Sequence, residues 1–348
     1  MSKQIDSHRV DKAITGYLGA AVPEFTPVAR TAIPEVEVGA ENYSGIAYTY
    51  PLKAMHGDGG KVGTAAMKRG PSDPFPELFT DVEPTKTTFQ CEIHGGAPRS
   101  LSDREAERWQ FDVGLIEEKA MMLNRSLDLD HELVGMRDTI FNTGNWFNAA
   151  VAALTGGAGV AWSTLNTSNP TKDGLAVGQI IRAASGVAPD YGCITNDVLN
   201  VLRYHPQTIG VYAASAVGLA SVQDLAVPDD QVLAIWAKRW RLRLGLYVVD
   251  EMYNASNMGQ DASLTEIGTG KLWMGCKRGA MGGIAAAGGV AIRGAGPVSV
   301  VRLVETQKRG YSWREDNPPA TKIAADESYC YLTPTDMKGT AYLVTGLV

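Results

Sequence analysis

One stretch of the chain carries a sustained helical stripe. Apolar side chains recur at Trp109, Val113, Ile116, Ala120, Leu123 and Leu127, in steps of three or four residues that stack them on a single helix face. The period resumes at Leu133, Met136 and Ile140. Ser102 and Glu105 stand at capping-box spacing, which sets the expected start. Gly114 and residues 126–130 are the points where such a helix would bend or break. An unbroken run of about 40 residues would reach ~60 Å, more than a compact domain needs for itself. The stripe predicts Trp109, Ile116, Leu123 and Leu127 as the core face of the helix.

Upstream the pattern is different. Residues 1–50 carry Pro23, Pro27 and Pro34 at short intervals, which disfavours helix interiors and predicts an extended arm. Between Tyr43 and Ala54, Ile46, Tyr48 and Tyr50 alternate with small residues; Thr87 to Ile93 is a second β-like run. The intervening residues, about 55–85, are rich in Gly and Pro, so the two strands predict an extended hairpin around a long loop. Downstream, residues 142–173 read as a linker. Helices are expected at 175–184, 197–204 (stopping near Pro206) and 229–240, and a short strand at 193–194. Residues 244–249 form an apolar strand whose expected partner is 272–275, and further strands fall at 298–305, 321–325 and 329–332. Helical and β-rich parts are interleaved, which predicts an α+β fold rather than a doubly wound sheet.

Composition narrows the function. Of 348 residues, 45% are hydrophobic and 20% charged, and 32 basic against 38 acidic residues give a net charge of −6. Bulk charge therefore does not bind nucleic acid, and DNA is expected only in non-specific contact. Cys91, Cys193, Cys276 and Cys330 are scattered without a CxxC pair and read as reduced thiols. The first residues lack the apolar core of a signal peptide, and no stretch is long and apolar enough to span a membrane.

Candidate chemistry fails on spacing. His131-Glu132 opens like a zinc-protease motif, but Gly135 stands where the second histidine belongs. Gly156, Gly157 and Gly159 complete no dinucleotide turn, and Gly268, Gly270 and Lys271 are followed by Leu272 rather than Ser or Thr. No GxSxG elbow is present. No catalytic residue, metal ligand or cofactor is expected. Lys238, Arg239, Arg241 and Arg243 interleave with Trp236 and Trp240. This reads as a helix end whose cations suit the dipole, with the tryptophans in the core or at a subunit contact.

Several stretches together resemble the major capsid proteins of tailed bacteriophages, with their Hong Kong 97-type fold. WSTLNTSNPTKDG (residues 162–174) resembles that family's Trp followed by a Ser/Asn-Pro turn and a helix. GVAPDYGCITNDVLNVLRYHPQTIG (186–210) resembles its Pro-containing turn, strand, helix and terminal His-Pro, here Pro189, Leu202, His205 and Pro206. LRLGLYVVDEMYNAS (242–256) and GKLWMGC (270–276) resemble two of its strands, and LDLDHELVGMRDTIFNTGNW (127–146) the end of its spine helix with the Asn-Trp after it. Each motif is short and loose; their order is the specific feature.

The resemblance implies an N-terminal arm over 1–42, an extended loop with its strands over 43–99, a peripheral domain with the spine helix over 100–169, an axial domain over 170–285, and peripheral return strands over 286–348. It implies a shell subunit, assembling as pentamers and hexamers, made in a bacterial host and found in the virion, with scaffolding, portal and decoration proteins as further partners. Unlike in some members, no helical scaffolding segment is expected ahead of the arm. An encapsulin-like shell shares the fold and encloses protein cargo; a soluble α+β enzyme is the rival from another class. The expected neighbour contacts are Trp236, Arg239, Trp240 and Arg241 in the axial part, and Lys53, Lys61, Lys68, Arg69, Asp73 and Glu77 in the loop. The first half of the loop is basic apart from Asp58, and the second half is acidic, with Asp81 and Glu83 continuing it.

Overall fold

The computed structural model describes residues 15, 16, 18, 27–38, 44–49, 85–95, 99–102, 112–215, 227–256, 260–277, 281–285, 289–293, 298–316, 319–333 and 335–348. A short helix, Val28–Ala32, leads into β1 (Glu35–Glu37). β2 (Ser44–Thr49) and β3 (Thr85–Gln90) pair antiparallel, Ser44 opposite Gln90 and Thr49 opposite Thr85. They form the base of the expected hairpin, whose loop lies outside the described residues. At Cys91 the chain leaves that sheet, and β4 (Glu92–Gly95) and β5 (Arg99–Ser102) pair with a different one. The expected strand 87–93 is thus two strands in two sheets. Ser102 lies in β5 opposite Ala320, and the helix start expected after it lies outside the described residues.

The spine helix is described from Asp112 to Glu132, a span of 21 residues or roughly 32 Å, and continues in wider π turns over Leu133–Ile140. After it come β6 (Phe147–Ala150), the helix Pro170–Ser185, β7 (Tyr191–Thr195), and the helices Asn196–Tyr204, Pro206–Ser215 and Asp229–Arg239. β8 (Gly245–Val249), β9 (Met252–Asn254), β10 (Leu264–Glu266), β11 (Leu272–Gly275), β12 (Met281–Ala285), β13 (Gly289–Arg293), β14 (Val301–Asp316), β15 (Pro319–Leu332) and β16 (Ala341–Thr345) complete the order.

These strands form a central sheet, β6-β16-β11-β7-β8; a peripheral sheet, β1-β14-β15-β4, with β5 also on β15; a loop sheet, β12-β13-β2-β3; and the β9–β10 hairpin. Two pairings differ from expectation. β8 runs parallel to β7, Tyr191 opposite Gly245, while β11 lies between β7 and β16. The C-terminal β16 joins the central sheet and not the peripheral one. The expected strands 321–325 and 329–332 are one continuous β15, paired along its length with β14.

Local signals place the central lobe. Residues 142–173 read as a linker, but they hold β6, and the helix Pro170–Ser185 opens on Asn169, whose side chain accepts from the Lys172 N–H at 3.0 Å. Pro170 sits in its first turn, where no N–H is needed, and Gly186, at φ 73°, closes it. Inside, Trp162, Trp236 and Trp240 pack with Val177, Ile194, Leu202, Leu272 and Met274. Asp173 is buried there and accepts from the Trp162 indole at 2.8 Å and from the Ala158 N–H. Gly174 is required by packing, since a Cβ would collide with the Trp240 ring.

Candidate assembly surfaces and a buried charge network

Leu123 and Leu127, with Ala120, press the spine helix onto Ile323 and Ala325 of β15 and onto Leu18. Burying each leucine contributes about 2 kcal/mol. Ile116 lies within the helix but its side chain is outside the described set, as is all of Trp109. The exposed side of the helix carries two apolar side chains among charged ones: Met121 and Met122 are 48% and 42% exposed. Nearby, β4 pairs with β15 on one side, and its Ile93 is 74% exposed. An open groove between β4 and the helix is lined by Ile93, His94, Leu127, Asp130 and Leu133. A strand paired on one side and bearing a bare Ile is a surface suited to another chain.

The axial residues divide. Trp236 and Trp240 are interior: the first donates its indole N–H to Thr208 at 3.0 Å and the second to the Pro170 carbonyl at 2.9 Å. Of the two placements open to them, these rings occupy the core. Arg239 lies over the Trp236 ring, 5.5 Å from its centre, and donates to Thr171 at 2.7 Å, so it too is largely engaged within the chain. Arg241 is exposed, with φ 61°. The loop residues Lys53, Lys61, Lys68, Arg69, Asp73 and Glu77 all lie outside the described residues.

A buried ionic cluster joins the spine helix, the short N-terminal helix and the β14–β15 hairpin. Glu327 on β15 takes Arg30 at 2.5 Å and the His131 Nε2 at 3.1 Å. Arg30 also meets Asp128 at 3.1 Å, which binds Lys308 of β14 at 2.6 Å. Burial pushes Glu327 upward, but the His131 hydrogen bond and the Arg30 charge outweigh it and hold the carboxyl at about 2. Burial, with Arg30 close by, depresses His131 to about 4. His131 is therefore neutral at pH 7. Beside an ionised Glu327 its proton belongs on Nε2, and Nδ1 accepts from the Tyr331 hydroxyl at 2.9 Å. Outward from His131, Tyr329 stacks at 3.9 Å and His94 stacks on Tyr329 at 4.2 Å. Both of these reach Asp130 at 2.6 Å.

The next residue, Glu132, does a different job. Its Oε1 accepts from the Ala29 N–H at 2.9 Å, capping the short helix, whose own N-cap, Pro27, supplies no side-chain acceptor. Lys277 donates to the Thr31 carbonyl near the other end at 3.1 Å. A negative group at the start and a positive one at the end match the helix dipole. Burial raises Glu132 to about 7 against these hydrogen bonds. Gly135 completes the joint. A Cβ there would lie 2.8 Å from the Ala29 Cβ and 2.9 Å from the Tyr331 ring, so only glycine lets the short helix approach.

Sequence reasoning passed over this cluster. In sequence His131-Glu132 suggests a zinc motif or the end of a spine helix, and nothing local to Glu327 marks it as interior. Among the described residues no group of His, Cys, Asp and Glu is placed to hold a metal ion, and no helix is long and apolar enough to cross a membrane.

A long spine helix, a long two-stranded hairpin beneath it, a separate loop sheet and a central α/β lobe define the class: an α+β chain with the Hong Kong 97-type capsid fold. Known structures agree along the whole length. A phage-related protein from Bordetella bronchiseptica matches with a TM-score of 0.65 at 12% identity, covering 98% of each chain. A virus-like particle from Pyrococcus furiosus matches with a TM-score of 0.51 at 10% identity, covering 95% of this chain and 97% of that one. The putative capsid protein of a prophage of E. coli CFT073 matches with a TM-score of 0.50 at 10% identity, covering 97% and 99%. No family model and no curated protein matches the chain.

Proposed function

We propose that this chain is the structural subunit of an icosahedral phage capsid, assembling into pentamers and hexamers that enclose double-stranded DNA. The observation that carries the reading is the fold match to the putative capsid protein of an E. coli prophage, over 97% of this chain and 99% of that one. The bare Ile93 on β4 and the bare Met121 and Met122 on the spine helix support it, since they gain from a neighbour's cover. In this reading residues 43–99 reach an adjacent subunit, 170–285 surround the capsomer centre, and scaffolding, portal and decoration proteins are further partners. The subunit is made in a bacterial cytoplasm and ends in the virion.

A second reading, a shell around protein cargo, is kept in play by the match to a virus-like particle. Negative-stain images of the purified protein, alone and with a scaffolding partner, test the shell. Closed particles are expected; a monodisperse monomer or dimer at high concentration overturns it. Nuclease-protected DNA inside particles from infected or induced cells separates the two contents.

A further inference from the structure

We propose that Cys91 and Cys330 form an oxidisable pair, closed to an intrachain disulfide by a small disulfide such as oxidised glutathione. The two thiols lie 3.8 Å apart, although the residues are 239 positions apart in sequence. Their placement follows from strand register. β4 pairs with β15 so that Gly95 faces Asp326 and Glu92 faces Tyr329, where the ladder ends; Cys91 and Cys330 are the next residues beyond its last pair. Directly opposed residues of an antiparallel pair have Cα atoms about 4.5–5.5 Å apart, within the ~4.4–6.8 Å that a disulfide spans. Closing the bond is therefore a matter of side-chain rotation and small local adjustment, not of moving strands.

Access and reactivity fit. Cys330 is partly exposed, so a small reagent reaches the pair, whereas Cys193 and Cys276 are fully buried. The hydrogen bond between the two holds the Cys91 thiol below its ordinary range against burial and, together with burial, pushes the Cys330 thiol well above its own, so Cys91 is the better thiolate of the pair. One cysteine thiolate displaces a glutathione thiolate to give a mixed disulfide. The second cysteine attacks the protein-side sulfur and releases the other glutathione. Two protein thiols are oxidised, one glutathione disulfide is reduced to two thiols, and the two protons leave with the products. The bond would fix the junction where the chain passes from the loop sheet to the peripheral sheet, because Cys91 is that junction. None of this depends on the chain forming a shell.

The test is incubation of the reduced, folded protein with oxidised glutathione, alkylation of the remaining thiols, and mass spectrometry of unreduced peptides. A Cys91–Cys330 peptide pair lighter by two hydrogens is expected, with free thiols falling from four to two per chain. The melting temperature should rise in the wild type, return with dithiothreitol, and stay unmoved in Cys91→Ser and Cys330→Ser. Stable glutathione on Cys330 without the link, alkylation of both cysteines after incubation, or a link to any other cysteine or between chains overturns the proposal. The wild-type peptide result decides even where a serine variant fails to fold.

Discussion

Glu132→Gln isolates one titration at the joint between the spine helix and the short helix. Burial lifts this carboxyl from 4.5 to about 7, so between those values the folded chain keeps a proton that the unfolded chain has released. Its contribution to stability is full below pH 4.5 and is lost as pH climbs through 7, a loss of roughly 3 kcal/mol. His131 works in the opposite sense. Its fall from 6.5 to about 4 gives stability that is present above 6.5 and lost as pH drops through 4, again roughly 3 kcal/mol. The two windows overlap, so the wild type should be nearly flat from pH 5 to 6.5 as far as this pair governs it. The amide keeps an acceptor for the Ala29 N–H and carries no charge at any pH. At pH 5 variant and wild type should melt together, because the wild-type carboxyl is protonated. At pH 8 the variant should melt higher, by about 5 °C or more. Between pH 6.5 and 5 the variant should lose stability that the wild type retains, exposing the His131 titration. Thermal melts of the unassembled subunit across pH 5–8 read this directly. Parallel curves for the two proteins would refute the titration of Glu132.

Three further outcomes are expected. Leu123→Asp places an unpaired charge between Ala120, Ile323 and Ala325 and should cost several kcal/mol, giving insoluble protein or no particles; wild-type particle yield would remove the leucine from the core. Gly135→Ala should cost about 1–3 kcal/mol by pushing Ala29 and Tyr331 apart, seen as a lower melting temperature and faster proteolysis at residues 27–38; an unchanged melt would show that the short helix is not tightly seated. Deleting residues 57–70, or reversing Lys61, Lys68 and Arg69 to Glu, should leave a folded subunit and abolish or weaken assembly, the reversal most strongly at low salt; shells of normal size and heat resistance would end the loop's proposed assembly role.

The spine helix was legible because Leu123 and Leu127 obey a local period, and a local period is all that sequence displays directly. The helix Pro170–Ser185 was legible for the same reason, helped by Asn169-Pro170 ahead of it. β15 was split in the reading because Asp326, Glu327 and Ser328 look like a break. Glu327 and Ser328 are in fact buried, and Glu327 is tolerated in mid-strand because His131 and Arg30, 196 and 297 residues away, meet its charge. The partner of β8 was misread because pairing is set by register across distant segments, which no window of residues contains. The tryptophans beside Arg239 were recognisable as large apolar groups, but only packing shows them turned inward. Capping of the short helix by Glu132 is of the same non-local kind.

The position of β16 bears on how the chain is made. It lies between β6 and β11 inside the central sheet, yet it follows both in synthesis by a long interval. β1 likewise pairs with β14, so Glu35 waits for Arg302. Contacts this distant in sequence close slowly, since loop-closure entropy is lost before they form. Until residues 341–345 emerge, β6 has no strand beside it and β11 shows an open edge towards it. A nascent chain therefore cannot present a finished subunit early, and a truncated one carries a bare strand edge that marks it for aggregation or proteolysis.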